Sequence, residues 1–242
     1  MKPAVALLFA AALAFGGCEN NQERSARLER QAKQTAARNP TPAARGLTID
    51  RVSSQVQVVA AQTVHDGEGA AVIVTLRNGS AHTLRDVPIA VTVKGAHGGV
   101  LYRNDAPGLE AALTSVPVLA AGRKATWIDD QLPPGEAPAS VSTAVGEAPQ
   151  VSGAVPQLTL TGVHPNEEGG ASGIAGTVHN GSAVTQKALV VYGLARRGAQ
   201  IVAAGRAVLS EVPAHGAAPF QVLLIGSAAG AKVEASAAAS TF

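Results

Sequence analysis

From about residue 55 onward, short runs of β-branched and aliphatic residues alternate with clusters of glycine, proline, asparagine and aspartate, the pattern of short strands separated by turns. In the first half the runs predict strands over 55–64, 70–77, 84–94, 100–102, 124–132 and 140–145. Turns fall at Asp66-Gly67, Asn78-Gly79, Gly98-Gly99, Ala121-Gly122 and Pro133-Pro134-Gly135. In the second half strands are expected over 158–163, 173–179, 187–195, 200–208, 218–225 and 232–238. Val87, Ile89, Val91 and Val93 occupy every second position, so they share one face of a strand and are expected in a core.

The pattern repeats. Asn78-Gly79-Ser80-Ala81 returns as Asn180-Gly181-Ser182-Ala183, each time after a β-branched run and each time expected as a hairpin turn. His65 and His164 lead similar Gly- and Glu-containing turns before the tetrads, and Val116-Pro117 with Gly122 parallels Val212-Pro213 with Gly216. The first copy carries roughly six more residues, placed within 103–113. Two copies of about 100 residues, 47–148 and 149–242, with regular short strands, point to an all-β protein of two tandem immunoglobulin-like or fibronectin-like β-sandwich modules; a pair of small barrels is the alternative.

Composition narrows the core and the partners. Hydrophobic residues make up 46% of the chain but aromatics only 3%, so each core is built from small aliphatic side chains. The net charge of +2 is spread thinly: the arm 19–45 carries six basic and three acidic residues, the first copy seven and ten, the second five and four. No basic stripe with interleaved aromatics exists, which argues against a nucleic-acid partner.

Residues 1–17 combine a basic start at Lys2 with an apolar run of about 12 residues, too short for the ~20 of a spanning helix, and so predict a signal peptide. Leu13-Ala14-Phe15-Gly16-Gly17-Cys18 resembles a bacterial lipobox, although Phe15 replaces the usual aliphatic residue. The resemblance implies cleavage before Cys18, acylation of that cysteine and a membrane partner through the lipid. Glu19 in the next position implies, by analogy, the outer membrane facing the periplasm if the host is diderm. Residues 18–46 then form the acylated cysteine and a polar tether, without an apolar face and ended by Asn39-Pro40-Thr41-Pro42.

Catalytic chemistry has no visible seat. No Gly-x-Ser-x-Gly elbow surrounds a serine, and the six histidines lack metal-ligand spacing. Asp129-Asp130 point to opposite faces of a strand and, like Glu167-Glu168, are expected to be solvated. No cofactor or metal is implied. Trp127 is expected as the large residue of a Val/Ala core; exposed beside Tyr102, it would instead mark a binding surface, to which Tyr192 is the remaining ring.

In the second copy, Gly176-Thr177-Val178-His179-Asn180, Leu189-Val190-Val191-Tyr192, Arg197-Gly198-Ala199-Gln200-Ile201-Val202 and Pro213-Ala214-His215-Gly216 with Pro219-Phe220 resemble the FxLYD-type module of bacterial envelope proteins. The likeness covers about 70 residues, and the first copy shares less of it. It implies an Ig-like sandwich and a non-catalytic role. The function expected is therefore that of a lipid-anchored envelope protein displaying two modules to an envelope protein partner. The alternative is an accessory protein binding a small ligand or carbohydrate.

Overall fold

Strands form where branched aliphatics dominate, and nearly all the structure is antiparallel sheet. The computed structural model describes residues 46–168 and 170–242; the apolar N-terminal run, Cys18 and the arm up to Arg45 lie outside the described residues. The first half contains β1 (Val56–His65), β2 (Ala70–Asn78), β3 (Leu84–Lys94), β4 (Val100–Arg103), a single helical turn α1 (Ala111–Thr114), β5 (Ser115–Leu119), β6 (Lys124–Leu132) and β7 (Ser140–Val145). The second contains β8 (Leu158–Glu168), β9 (Ala171–Asn180), β10 (Gln186–Arg197), β11 (Gln200–Val212), β12 (Ala217–Leu223), β13 (Ile225–Gly226) and β14 (Lys232–Ala237). Sheet β1-β2-β6 faces β3 with its neighbours β4, β5 and β7; sheet β8-β9-β12 faces β13-β11-β10-β14. The chain is thus a pair of all-β sandwiches. Residues 149–151 still hydrogen-bond to Thr83 and Arg85, so the first sandwich extends to Val151.

From the first strand through the tetrad the copies correspond at a spacing of 102 residues. Asn78 accepts hydrogen bonds at Oδ1 from the Ser80 amide and hydroxyl and donates through Nδ2 to the carbonyls of His82 and Leu119. Asn180 accepts from both groups of Ser182 and donates to Val184, Val212 and Pro213. Both asparagines are buried, and each takes the chain from one sheet to the other, so the tetrads are corners and not the hairpin turns the sequence suggests. Eight residues further on, Asp86 and Ala188 share a left-handed backbone, φ 50° and 49°.

This register corrects two correspondences. Gly122 donates to the Ser80 carbonyl as His215 does to that of Ser182, so Leu119 matches Val212 and the Val116-Pro117 parallel is displaced by three residues. Val116 and Pro117 instead lie in β5, a strand absent from the expectation; Pro117 is tolerated because β5 pairs only with β3 and is an edge. His65 ends β1, whereas His164 lies inside β8 after a bulge, so the two histidines are not equivalent.

The excess residues of the first copy interrupt one strand. In the second sandwich β10 pairs with an unbroken β11, but in the first the same edge of β3 is shared by β4 and β5. The buried Asn104 fills the break: its Oδ1 accepts from the Val91 amide at 2.8 Å, and its Nδ2 donates to Ile89 at 2.8 Å and Leu113 at 2.7 Å. One side-chain amide thereby supplies the donor and acceptor of the missing strand. Trp127 closes the segment from below, with no exposed surface and its indole N–H donating to Ala112 at 2.9 Å.

Burial on both faces of the middle strands shows how the halves join. Val72 and Val74 pair with Asp129 and Trp127 toward the first core, while Ile73 pairs with Ile128 on the opposite face, which is equally buried. On β10, Leu189 and Val191 belong to the core of the second sandwich; Val190, Tyr192 and Leu194 belong to a cluster continuous with the first. Sheets β1-β2-β6 and β13-β11-β10-β14 are therefore packed face to face, giving four sheet layers.

Because each tetrad asparagine supports several buried backbone groups, Asn78→Ala and Asn180→Ala should each destabilise the protein by about 2–4 kcal/mol in urea unfolding. Aspartate at either position should not restore stability, since a carboxylate cannot donate to the carbonyls.

Candidate functional site

The junction between the sandwiches holds most of the unusual chemistry. On β6, Ile128 and Asp130 project toward the second sandwich; on β11, Arg206 lies directly opposite Tyr192 and projects back. Arg206 Nε meets Asp130 Oδ1 at 3.1 Å, and the Arg206 amide donates to Asp130 Oδ2 at 2.9 Å. Arg206 Nη1 lies 3.6 Å from Glu110, which belongs to the interrupting segment of the first copy. The arginine side chain is only 6% exposed and that of Asp130 14%. A second tie joins Asp66 Oδ2 to the Gly226 amide.

One residue away, Asp129 points into the first core, where Tyr102 donates to its Oδ2 at 2.7 Å and the Gln131 amide to its Oδ1 at 3.0 Å. Burial pushes the Asp129 carboxyl up to about 6, against the opposing pull of those hydrogen bonds. Burial and then the Asp129 charge raise the Tyr102 phenol, and burial raises that of Tyr192. For Arg206 burial works against the charge, but Asp130, Asp129 and Glu110 hold the guanidinium above its ordinary value. The expectation of a solvated Asp129-Asp130 pair is thus overturned: both faces of β6 are covered, so each carboxylate is buried with its own partner.

Beside this clasp runs a groove of about 450 Å³. Its floor is the face of β10, with Tyr192, Leu194 and Arg196 at alternating positions. Residues 116–118 of β5 and 123–126, where β6 begins, line its walls, and Glu234 and Ser236 of β14, in register with Leu194 and Tyr192, continue the floor. Alternation marks a sheet seen face-on, and consecutive lining marks strands seen edge-on. In the described residues β5, β6 and β14 each pair on one side only. The Tyr192 hydroxyl is buried without a hydrogen-bond partner.

The three rings proposed from sequence as a binding surface are not displayed together. Trp127 is fully buried in the first sandwich, Tyr102 is half-buried and tied to Asp129, and Tyr192 is buried at the groove floor. A core of valine and alanine needs such bulk, which is why the rings are drawn inward. Leu113 and Asn104 of the inserted segment are likewise buried, so this segment is a packed joint and not an open loop. Cys18 lies outside the described residues. His164 Nδ1 meets the Gly162 carbonyl and His179 meets Thr161; among the described residues no cluster of metal-ligating side chains occurs. No helix among them is long and apolar enough to cross a membrane.

Sequence reasoning missed Arg206 and Asp130, although a signal existed: a lone arginine in the apolar run 203–208 and two aspartates after Trp127-Ile128 are charges that need partners. No protein-family model matches the chain, and no curated protein matches it.

Asp129 holds its proton in the folded state at pH values where the unfolded chain, with an ordinary value near 3.8, has lost it. The associated stabilisation is complete below that value and is lost as pH rises through about 6. Asp129→Asn should remove this loss, so the variant should gain on the wild type, on the order of 2 kcal/mol, between pH 4 and 7 in urea titrations. Arg206→Leu or Asp130→Leu alone should cost about 3–5 kcal/mol by stranding a buried charge, and the double substitution should cost less than either.

Proposed function

We propose that this chain is a non-catalytic, lipid-anchored protein of the bacterial cell envelope that presents two docked β-sandwiches as one body to another envelope protein. The observation that carries the reading is the joint: the middle sheets share a continuous apolar cluster closed by the Arg206–Asp130 pair. Docking of this kind creates a fixed composite surface, with strand edges of the first copy above a sheet face of the second, which neither module offers alone. Interaction by strand edge and shape is a common use of β-sandwiches.

Two further observations favour display over catalysis. The carboxylate with a strongly displaced pKa, Asp129, is sealed from solvent and engaged by Tyr102, an arrangement suited to holding a core together. The strand order, three strands against a sheet centred on β3 or β10, agrees with the Ig-like reading of both copies and with the FxLYD resemblance of the second. The anchor itself rests on the sequence around Cys18, with the arm up to Gly46 as the tether. Trp127, sealed in the first core, offers no ring for a sugar to stack on.

Intact-mass analysis and membrane fractionation of the wild type and Cys18→Ser, expressed in a diderm bacterium, test the proposal. The wild type should carry the mass of an acylated Cys18 and sediment with membranes, and Cys18→Ser should be unacylated and soluble. An unmodified, soluble wild type would refute the anchor.

A further inference from the structure

Two edge strands, β5 and β6, border the groove, and an edge strand carries a row of backbone N–H and C=O groups without ladder partners. Such edges recognise an extended peptide, whose own backbone supplies the complementary row. Beneath them Tyr192, Leu194 and Ser236 share one face of the β10-β14 sheet and form the floor, while Ala235 and Ala237 turn to the other side, into the second core. An extended strand laid on this floor can pair with such an edge, whereas a helix spends its backbone groups on itself.

Charge sets the direction of preference. Arg123 and Lys124 stand exposed at the start of β6, at one end of the groove, and neither has an ion-pair partner among the described residues. Arg196, by contrast, is already engaged by Glu234 at 3.4 Å. The groove therefore offers two uncommitted cations and no uncommitted carboxylate.

We propose that the groove between the sandwiches receives an extended, acidic segment of a partner protein, which lays its backbone along the free strand edges and sets carboxylates against Arg123 and Lys124. This assignment rests on the protein-interaction reading above and gives that reading a place and a chemistry. Pro117 removes one donor from β5, so β6, which has no proline, offers the more complete edge.

The probe is a six-residue peptide alternating valine and glutamate, capped at both ends and carrying a fluorophore, titrated with the full chain in detergent and followed by anisotropy. Saturable binding is expected, at least tenfold weaker for the counterpart with lysine in place of glutamate and for the variant Arg123→Glu/Lys124→Glu. It should also weaken as salt is raised. Ser236→Trp, which places a ring in the groove from an exposed position, should abolish binding while leaving thermal unfolding unchanged. Absence of saturation, equal binding of the lysine peptide, or indifference to Ser236→Trp would each overturn the proposal. Photoreactive amino acids at position 236, or at the exposed position 57 away from the groove, separate this failure from that of the wider reading in cells. Adducts at 57 alone would leave the interaction role standing and sink the groove. Adducts at neither position would sink both.

Discussion

Between two sheets packed face to face there is no water to solvate a charge, and Arg206 sits in that position. Its guanidinium and amide both close on Asp130, with Glu110 on the remaining side, and this arrangement fixes how the sandwiches meet. A purely apolar contact between Ile73, Ile128 and Val190 would tolerate sliding, because burial of area has no direction. A buried ion pair with a backbone hydrogen bond has only one geometry that satisfies it. The pair contributes register more than net stability, since removing two charges from water costs nearly as much as their attraction returns. The groove beside it inherits its width and the alignment of its walls from that register.

The inserted segment of the first copy follows from the same joint. Asn104 repairs the ladder, Trp127 holds Ala112, and Glu110 then reaches the second sandwich next to Arg206. A strand interruption that would weaken an isolated module is used here as a strut between modules. The second copy, which presents the opposite sheet to the joint, has no need of it and keeps β11 whole.

Much of the fold was legible in the sequence because its signals are local. Alternation at 87, 89, 91 and 93 identified a strand whose four valine and isoleucine side chains are all buried, and the Asn-Gly-Ser-Ala tetrads located the equivalent corners. What was illegible depended on contacts distant in the chain. Strand β5 was hidden by Pro117, whose cost vanishes only at an edge; the fate of Asp129 depended on Tyr102, 27 residues away along the chain, and that of Asp130 on Arg206, 76 residues away. A cue went unused: the runs 70–74 and 189–195 are apolar without alternation, which in a sandwich signals strands covered on both faces. The aromatic residues were weighed as display or core, and the small side chains around them decided for core.

The joint also pairs unlike surfaces of like modules: the β1-β2-β6 sheet of the first copy meets the β10-β11 sheet of the second. Head-to-tail contacts of this sort repeat without end unless something stops them, and linear arrays of modules grow in this way. Here the free ends are altered. Where the first copy docks through Ile73 and Ile128, the corresponding pair on the second copy's outer sheet is Ala175 and Gln221. Where the second docks through Tyr192 and Leu194, the first has Ala90 and Thr92, beside a strand that is broken at Asn104. The two outward faces thus lack the large apolar residues through which the copies join, so the surfaces outside the pair differ in kind from those within it.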